Sequence, residues 1–425
     1  MQHIQEPART LPIIADVDVL VAGGGIAGCC AAISAARQGV SVLLVERYGY
    51  LGGLTAAWPV PVIFQYGEPG NPIVRGIGEE IHERCRADGV WKPAGKGMDY
   101  FVGTIQDGEL DPEILKLVLM ELCLEAGVQL RLHSTLVSAF NDNDQLHTVV
   151  IESKSGREAI RCQQAVDATG DGDLAALAGA DCIPFEKGFC SLGANLHGID
   201  KEHVRQLQLY YPDTYNELVE RFKQEANGCK QFGFHTEGTG AFPMSGNCLD
   251  AADLTRMEVE GSMKLLRSLR WARQHFPGYQ NAQLTRIAPQ FGVRFGRRLV
   301  GISTLTEEEC KNHVEYEDVV LRFCHSDNAM GVSYRQLVPQ RLDGLIVGSR
   351  SFSVDAGTFH NIRLIGTAYG LGHAAGAAAG LCVRHGCRFR DLPYAPLRAL
   401  LLEQGAILDK QHTPETPPSR RKVPH

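Results

Sequence analysis

No C-x-x-C pair occurs anywhere in this 425-residue chain, although it holds 13 cysteines. Their odd number and irregular spacing exclude a disulfide framework and a zinc-ligand pattern, and point to reduced, buried thiols in a cytoplasmic protein without a bound metal. The adjacent Cys29 and Cys30 would point about 100° apart on a helix, which disfavours a bridge between them. Positive charge is short as well. Lys and Arg number 42 against 49 Asp and Glu, a formal net charge of −7, and a nucleic-acid partner needs a basic field. The run Arg420-Arg421-Lys422 reads as part of a solvated tail. Long hydrophobic runs are missing too. Only Leu364–Val383 reaches the roughly 18 uncharged residues of a membrane span. Its Gly and Ala content and His373 make it a packed interior helix, so no membrane association is expected. Residues 1–16 lack a basic start followed by an apolar core, and no secretory signal is expected there.

What the chain does have is an ordinary globular balance, 44% hydrophobic and 21% charged, over a length that exceeds one hydrophobic core and predicts two domains. Its most informative stretch is residues 17–46, VDVLVAGGGIAGCCAAISAARQGVSVLLVE. A valine-rich strand enters a glycine cluster in which Gly23, Gly25 and Gly28 form G-x-G-x-x-G. A small-residue helix, Gly39 and a second apolar strand follow, ending at Glu46. This is the βαβ dinucleotide fingerprint with its acidic partner in place. Gly23 permits the tight turn, Gly25 lets the backbone approach a pyrophosphate at the helix N-terminus, and Gly28 allows close helix–strand packing. Glu46 is placed to accept from both ribose hydroxyls.

Farther along, DPEILKLVLMELCLEAG (111–127) predicts a helix. Asp111 stands at the N-cap, Pro112 at the first helical position, and Leu115, Val118, Leu119 and Leu122 share one face. Alternating segments up to Asp167 predict strands. VDATGDGDLAALAGA (166–180) reads as a strand ending in a turn through Thr169, Gly170 and Asp171, where backbone and carboxylate can meet a cofactor, or else as a simple strand–turn–helix that Asp173 would cap. Residues 58–108 are rich in Pro and Gly and read as a long irregular excursion. From about Phe185 the character changes, with polar helices expected at 200–226 and 252–275. In 343–380 a strand reaches Gly348, a loop carries Arg350, His360 and Arg363, and a helix starts near Gly366 and Thr367. Gly372, Gly376 and Gly380 recur every four residues, a smooth face for packing on another backbone.

Taken in order, VDVLVAGGGIAG, VERYGYLGGLT, DPEILKLVLMELCLEAGV, VDATGDGDLAALAGA, GVRFGRRLVGISTLTEEE, LVPQRLDGLIVGSR and IRLIGTAYGLGHAAGAAAG resemble the FAD-dependent oxidoreductases related to fumarate reductase flavoproteins. The resemblance implies an α/β fold: a doubly wound, Rossmann-like FAD-binding domain of glutathione-reductase/fumarate-reductase type with an inserted α+β substrate domain. It implies an FAD domain in three parts (1–57, 109–184 and 332–408), a pocket-forming excursion (58–108), an inserted cap (185–331) and a disordered tail (409–425). FAD would be held non-covalently, since no histidine is placed for attachment. Its expected contacts are Gly23, Gly25, Ile26, Ala27, Gly28, Glu46, Arg47, Gly52, Gly53, Leu54, Thr55, Leu136, Thr169, Gly170, Asp171, Gly348, Arg350, Gly366 and Thr367. By the same resemblance FHNIRLIGT places His360 and Arg363, the expected catalytic residues, near flavin and a small-molecule substrate. The electron partner is open.

The chain also departs from the family pattern. It has Gly348-Ser349-Arg350 where Ala-Gly-Arg is frequent, and Arg294-Phe295-Gly296-Arg297-Arg298 where Arg-Glu-Thr-Arg-Arg is frequent. Arg294 and Arg298 therefore either touch substrate or pair with acids. No second G-x-G-x-x-G opens a βαβ unit, and no C-x-x-x-x-C follows shortly after Glu46 (Cys382 and Cys387 have that spacing but lie far from the fingerprint), which argues against a separate NAD(P)H domain and thiol–disulfide reductase chemistry. The favoured reaction is hydride exchange between flavin N5 and a carbon of a small organic substrate. A flavin monooxygenase and a non-catalytic FAD scaffold are the alternatives.

Overall fold

Val17, Val19, Leu20 and Val21 are all buried, so strand β1 (Ile13–Ala22) carries the near-continuous apolar run of a strand covered on both faces. In the computed structural model, which describes residues 3–58, 62–64, 67–68, 71–88, 106–228, 239–325 and 328–410, β1 leads into helix α1 (Ile26–Ala36) and then strand β2 (Val42–Val45). The two strands pair in parallel, Val19 opposite Val42 and Ala22 opposite Val45. The βαβ unit thus stands where the glycine pattern predicts it.

Beyond β2 the sheet continues to Gln129–Arg131. On the other side of β1 lies Gly156–Asp167, also parallel. The outer edge of Gly156–Asp167 is divided. Gly156–Arg161 pairs antiparallel with Gln145–Ser153, which in turn pairs with Thr135–Asp142. Ala165–Asp167 pairs in parallel with Leu345–Val347, which arrives from the far end of the chain. Five parallel strands therefore end at one edge, in Ala22, Val45, Arg131, Asp167 and Val347. In a wound α/β sheet the ligand crevice lies outside such carboxyl ends.

Helix Pro112–Glu125 forms as predicted. The Asp111 carboxylate accepts from the amides of Glu113 at 2.8 Å and Ile114 at 3.4 Å, and Leu115, Val118, Leu119 and Leu122 are buried. A second hydrophobic core is drawn wholly from Cys190 to Phe291. There a sheet of Thr239–Gly246, Gly188–His197 and Gln283–Ile287 packs with helices Lys201–Tyr210, Pro212–Glu225 and Ala251–His275. The helix expected over 200–226 is in fact two. Tyr211 leaves helical geometry at φ −135°, ψ 56°, because the ring of Pro212 disfavours the α region for the residue before it.

The excursion 58–108 contains a regular element that its composition hides. Ile77–Asp88 is a helix with Ile77, Ile81 and Cys85 buried. Residues 59–61, 65–66, 69–70 and 89–105 of that excursion, 229–238 of the second unit and 411–425 of the expected tail lie outside the described residues. Asp409 and Lys410 are described and pair with Arg398 and Glu315 at 2.8 and 2.9 Å.

The glycine stripe packs as expected. The long helix Ile365–His385 lies on α1 with almost no space between the backbones. A Cβ at Gly372 would stand 2.0 Å from the carbonyl oxygen of Ala27, and one at Gly376 2.1 Å from that of Ala31. Both numbers rise by four, so the two helices run in the same direction. Among the described residues no helix is long and apolar enough to cross a membrane. Gly376→Ala should force the helices apart and cost about 1–3 kcal/mol by overpacking. A urea or thermal melt of the variant checks this, and an unchanged midpoint would show that the pair can separate freely.

Candidate active site

At the end of β1 three glycines have different work. Gly23 turns the chain at φ +99°, and a Cβ on Gly28 would stand 1.8 Å from the Gly23 carbonyl oxygen. Gly25 is the open one. The nearest atom to a Cβ there is the Gly53 Cα, 4.0 Å away. The first hydrogen bond of α1 runs from the Cys29 amide to the Gly25 carbonyl at 2.9 Å. The amides of Ile26, Ala27 and Gly28 precede that bond, at the positive end of the helix dipole. The second glycine pair, Gly52 and Gly53, folds back on this turn. The Gly52 amide donates to the Gly24 carbonyl at 2.8 Å, and both residues have positive φ. Leu54 and Thr55 then open the short helix Gly53–Ala57.

Glu46 is buried at the end of β2. Its Oε2 accepts from the Gly24 amide at 2.6 Å and its Oε1 from the Tyr48 amide at 2.8 Å. Each oxygen keeps further lone-pair capacity. The carboxylate thus ties the fingerprint turn to β2 and can still accept from a ligand. The Arg47 guanidinium lies over the Tyr48 ring at 5.0 Å. Leu136 pairs with Ile151 in the outer hairpin and packs half-buried on the main core.

At the end of Gly156–Asp167 the capping differs from the expectation. Asp167, fully buried, accepts from the Thr169 amide at 3.0 Å, the Thr169 hydroxyl at 2.7 Å and the Ala175 amide at 2.8 Å. Burial pushes its carboxyl up to about 6. The Thr169 hydroxyl oxygen in turn accepts from the Asp173 amide at 2.8 Å. Asp173 makes no cap. Its carboxylate pairs with Arg297 at 2.8 Å, because the residue that would receive a cap bond is already served from the strand end. Asp171 pairs with Arg350 at 2.8 Å. Gly170, at φ +87°, leaves room for that arginine, since a Cβ would stand 2.6 Å from its Nη1. Gly348 lets the last strand press on the long helix, 2.7 Å from the Ala375 Cβ by the same construction.

His360 and Arg363 lie on a short helix, Ala356–Ile362, and at its C-cap, and not in a loop. The Asp355 carboxylate starts that helix by accepting from the Thr358 amide at 2.7 Å. Leu364 then caps the long helix, whose first turn buries Gly366 and Thr367. An Arg363 Nη2 donates toward the His360 Nδ1 at a long 3.5 Å. Arginine is only a donor, so this contact places the neutral imidazole's proton on Nε2. Burial first, then Arg363 and Arg294, holds His360 below its usual imidazole range.

Four arginines converge here. The Arg363 guanidinium lies 5.5 Å over the Phe295 ring, and Arg298 lies 4.8 Å over Phe185 while donating to the Val354 carbonyl at 3.0 Å. Arg294 lies 5.3 Å over Phe189 and 5.7 Å over Trp58. Among the described residues, only Arg350 of these four has a carboxylate within 4 Å. Burial, then Arg294 and Arg350, pushes Arg363 down to about 9. Burial lowers Arg294 and Arg298 as well. Sequence reasoning missed Trp58, Phe189 and Ser191. The last two had a readable signal: Cys190, Leu192 and Ala194 alternate into the second core, which turns 189 and 191 to the opposite face.

A family model described as FAD dependent oxidoreductase matches residues 18–401. The 4-oxocyclohex-2-ene-1-carboxylate 5-dehydrogenase of Sinomonas cyclohexanicum is 36% identical over 88 residues, which make up 20% of this chain and 13% of that protein. Two solved structures are similar over most of the chain. A geranylgeranyl bacteriochlorophyll reductase-like protein from Thermoplasma acidophilum has 14% identity and a TM-score of 0.46, covering 92% of this chain and 82% of that one. A p-nitrophenol 4-monooxygenase from Pseudomonas putida DLL-E4 has 12% identity and a TM-score of 0.45, covering 92% and 85%.

The geometry gives Glu46 a structural weight that can be measured. Glu46→Ala removes two short charge-assisted bonds and should cost about 1.5–3 kcal/mol of stability for each amide left without its acceptor. A melt of the variant that coincides with wild type would show that neither bond holds the turn.

Proposed function

The chain belongs to the FAD-dependent oxidoreductase family, an enzyme with FAD as its cofactor, and from that premise we propose that it exchanges a hydride between the N5 of non-covalently bound FAD and a carbon of a small organic substrate. When bound, FAD supplies the two-electron chemistry. The residues at the carboxyl edge of the sheet fit the cofactor. The open volume at Gly25 is a cradle that a Cβ would fill, and the amides of Ile26, Ala27 and Gly28 suit the pyrophosphate. Gly23, Gly28, Gly52, Gly53, Leu54 and Thr55 shape that cradle, while Glu46 accepts from the adenosine ribose and Arg47 lies beside it. Leu136, Thr169, Gly170, Asp171, Gly348 and Arg350 line the return of the chain to the cofactor. Gly366 and Thr367, in the first turn of the long helix, would offer its positive end to a flavin that gains negative charge on reduction.

The observation that carries the reaction is the pairing of His360 with Arg363 just ahead of that helix. Arg363 orients a substrate carbonyl or carboxylate. His360 is kept neutral by burial and its cationic neighbours; its basic nitrogen is the Nδ1 that faces Arg363, so it takes up a proton from a substrate hydroxyl or carbon once substrate draws Arg363 off that long contact. The relative from Sinomonas cyclohexanicum carries the name of a dehydrogenase, which agrees with hydride exchange. The inserted unit, residues 185–331, supplies the other wall of the pocket through Phe189 and Arg294.

Anaerobic mixing with a metabolite library tests the reading. At least one organic substrate should bleach the bound flavin without oxygen. Flavin reduction only by NAD(P)H, with oxygen consumed and a hydroxylated product, would make the protein a monooxygenase. Gly25→Val should yield folded protein without FAD, and full flavin loading of that variant would place the phosphates elsewhere. Arg363→Ala should keep FAD while slowing flavin reduction by about 10- to 150-fold, the loss of a charge-assisted contact. Arg363→Lys should not restore the rate, since a point charge lacks the planar fork. If Arg363→Ala instead loses FAD and thermal stability together, the residue only holds the structure. His360→Gln keeps hydrogen bonding without titration and should flatten the pH profile of reduction. An unchanged profile would remove His360 from proton transfer.

A further inference from the structure

We infer that Arg294 is a second anion-binding residue of this site, and that the substrate is a small organic anion whose carboxylate it receives, an inference that rests on the hydride-exchange reading above. Arg294 comes from the second unit, and its amide donates to the Phe189 carbonyl at 2.9 Å. Its guanidinium is laid between two rings, Phe189 and Trp58. One Nη2 donates to the Ser191 hydroxyl oxygen at 2.7 Å, and the buried Nε has no hydrogen-bond partner. Arg363 repeats the arrangement on Phe295, with its own Nε buried and unpartnered.

Aromatic faces hold a cation without cancelling its charge, whereas a carboxylate partner would cancel it. Among the described residues no carboxylate stands within 4 Å of Arg294, Arg298 or Arg363, and Asp171 serves Arg350 alone. Asp355 still acts on Arg298 from beyond that distance, but Arg294 and Arg363 are partly desolvated with no carboxylate within 4 Å among the described residues, a costly arrangement that an anion relieves. The fields of Arg294 and Arg350 reach Arg363 and lower it, so Arg294 and Arg363 lie close enough to present positive charge to the same ligand. The free edge of a guanidinium matches the two oxygens of a carboxylate. The flanking rings of Trp58, Phe189 and Phe295 suit a flat, unsaturated body attached to that carboxylate. The phosphates of FAD have their own cradle at Gly25, built from main-chain amides.

The test titrates benzoate into the FAD-loaded protein, followed by the visible difference spectrum of the flavin and by calorimetry. Benzoate should bind wild type, and Arg294→Gln should weaken it about 10- to 100-fold with FAD per chain unchanged. Arg294→Lys should not restore binding. In the unmutated holoenzyme, benzoate should protect Arg294 from phenylglyoxal, mapped by mass spectrometry, which reads the site even if the variants fail to fold. Wild-type benzoate affinity in a flavin-loaded Arg294→Gln protein, or no benzoate binding and no protection in wild type, would overturn the inference. Loss of FAD from folded Arg294→Gln would assign the arginine to the cofactor's phosphates and overturn it too. Lost benzoate binding in a protein whose flavin no organic substrate reduces would keep the anion site and remove hydride exchange.

Discussion

The rest of the structure depends on the near-contact of two helix backbones. α1 and Ile365–His385 share a face on which Gly372 meets Ala27 and Gly376 meets Ala31 with no side chain between. Because the helices run in the same direction, both positive ends lie toward the carboxyl edge of the sheet. The longer helix begins seven residues before Gly372, so its start projects roughly 10 Å past the level of Ala27 at about 1.5 Å per residue. One helix end therefore stands at the glycine turn, and the other reaches outward to where His360 and Arg363 are held. A larger side chain at either glycine would change that stagger, and with it the spacing between the two ends of any ligand that spans them.

A second constraint acts at right angles to the first. The strand Gly156–Asp167 accepts Leu345–Val347 beside its last three residues only, since the antiparallel hairpin occupies the start of its outer edge. That division brings Arg350 directly across Gly170 to Asp171. Segments 179 residues apart in sequence so meet at one crevice, and the buried Asp167 ties the turn that carries Asp171 with three accepted hydrogen bonds.

Much of the nucleotide side was legible because its rules are local. Positive φ at Gly23, the close pass at Gly28 and the acid at the end of β2 are all set within 30 residues of chain. The Asp111 cap and the glycine stripe were legible for the same reason. The arginine cluster was not, because its signal is the absence of a carboxylate within 4 Å of Arg294, Arg298 and Arg363 among the described residues. Whether Arg294 and Arg298 pair with acids depends on what long-range folding brings near, and the structure brings phenylalanines and a tryptophan. Trp58 sat in a stretch that composition marks as irregular, and the placement of His360 on a helix turned on the Asp355 cap, with the helix-weakening Gly357 two residues after it.

The sheet edge, the staggered helix ends and the arginines laid on aromatic rings are the features on which the proposed hydride exchange with an anionic substrate rests. The most direct check is the fate of oxygen during turnover of whichever substrate reduces the flavin. Under labelled dioxygen the account predicts a product with two hydrogens fewer or more than the substrate and no label. Labelled oxygen incorporated into the product would contradict it.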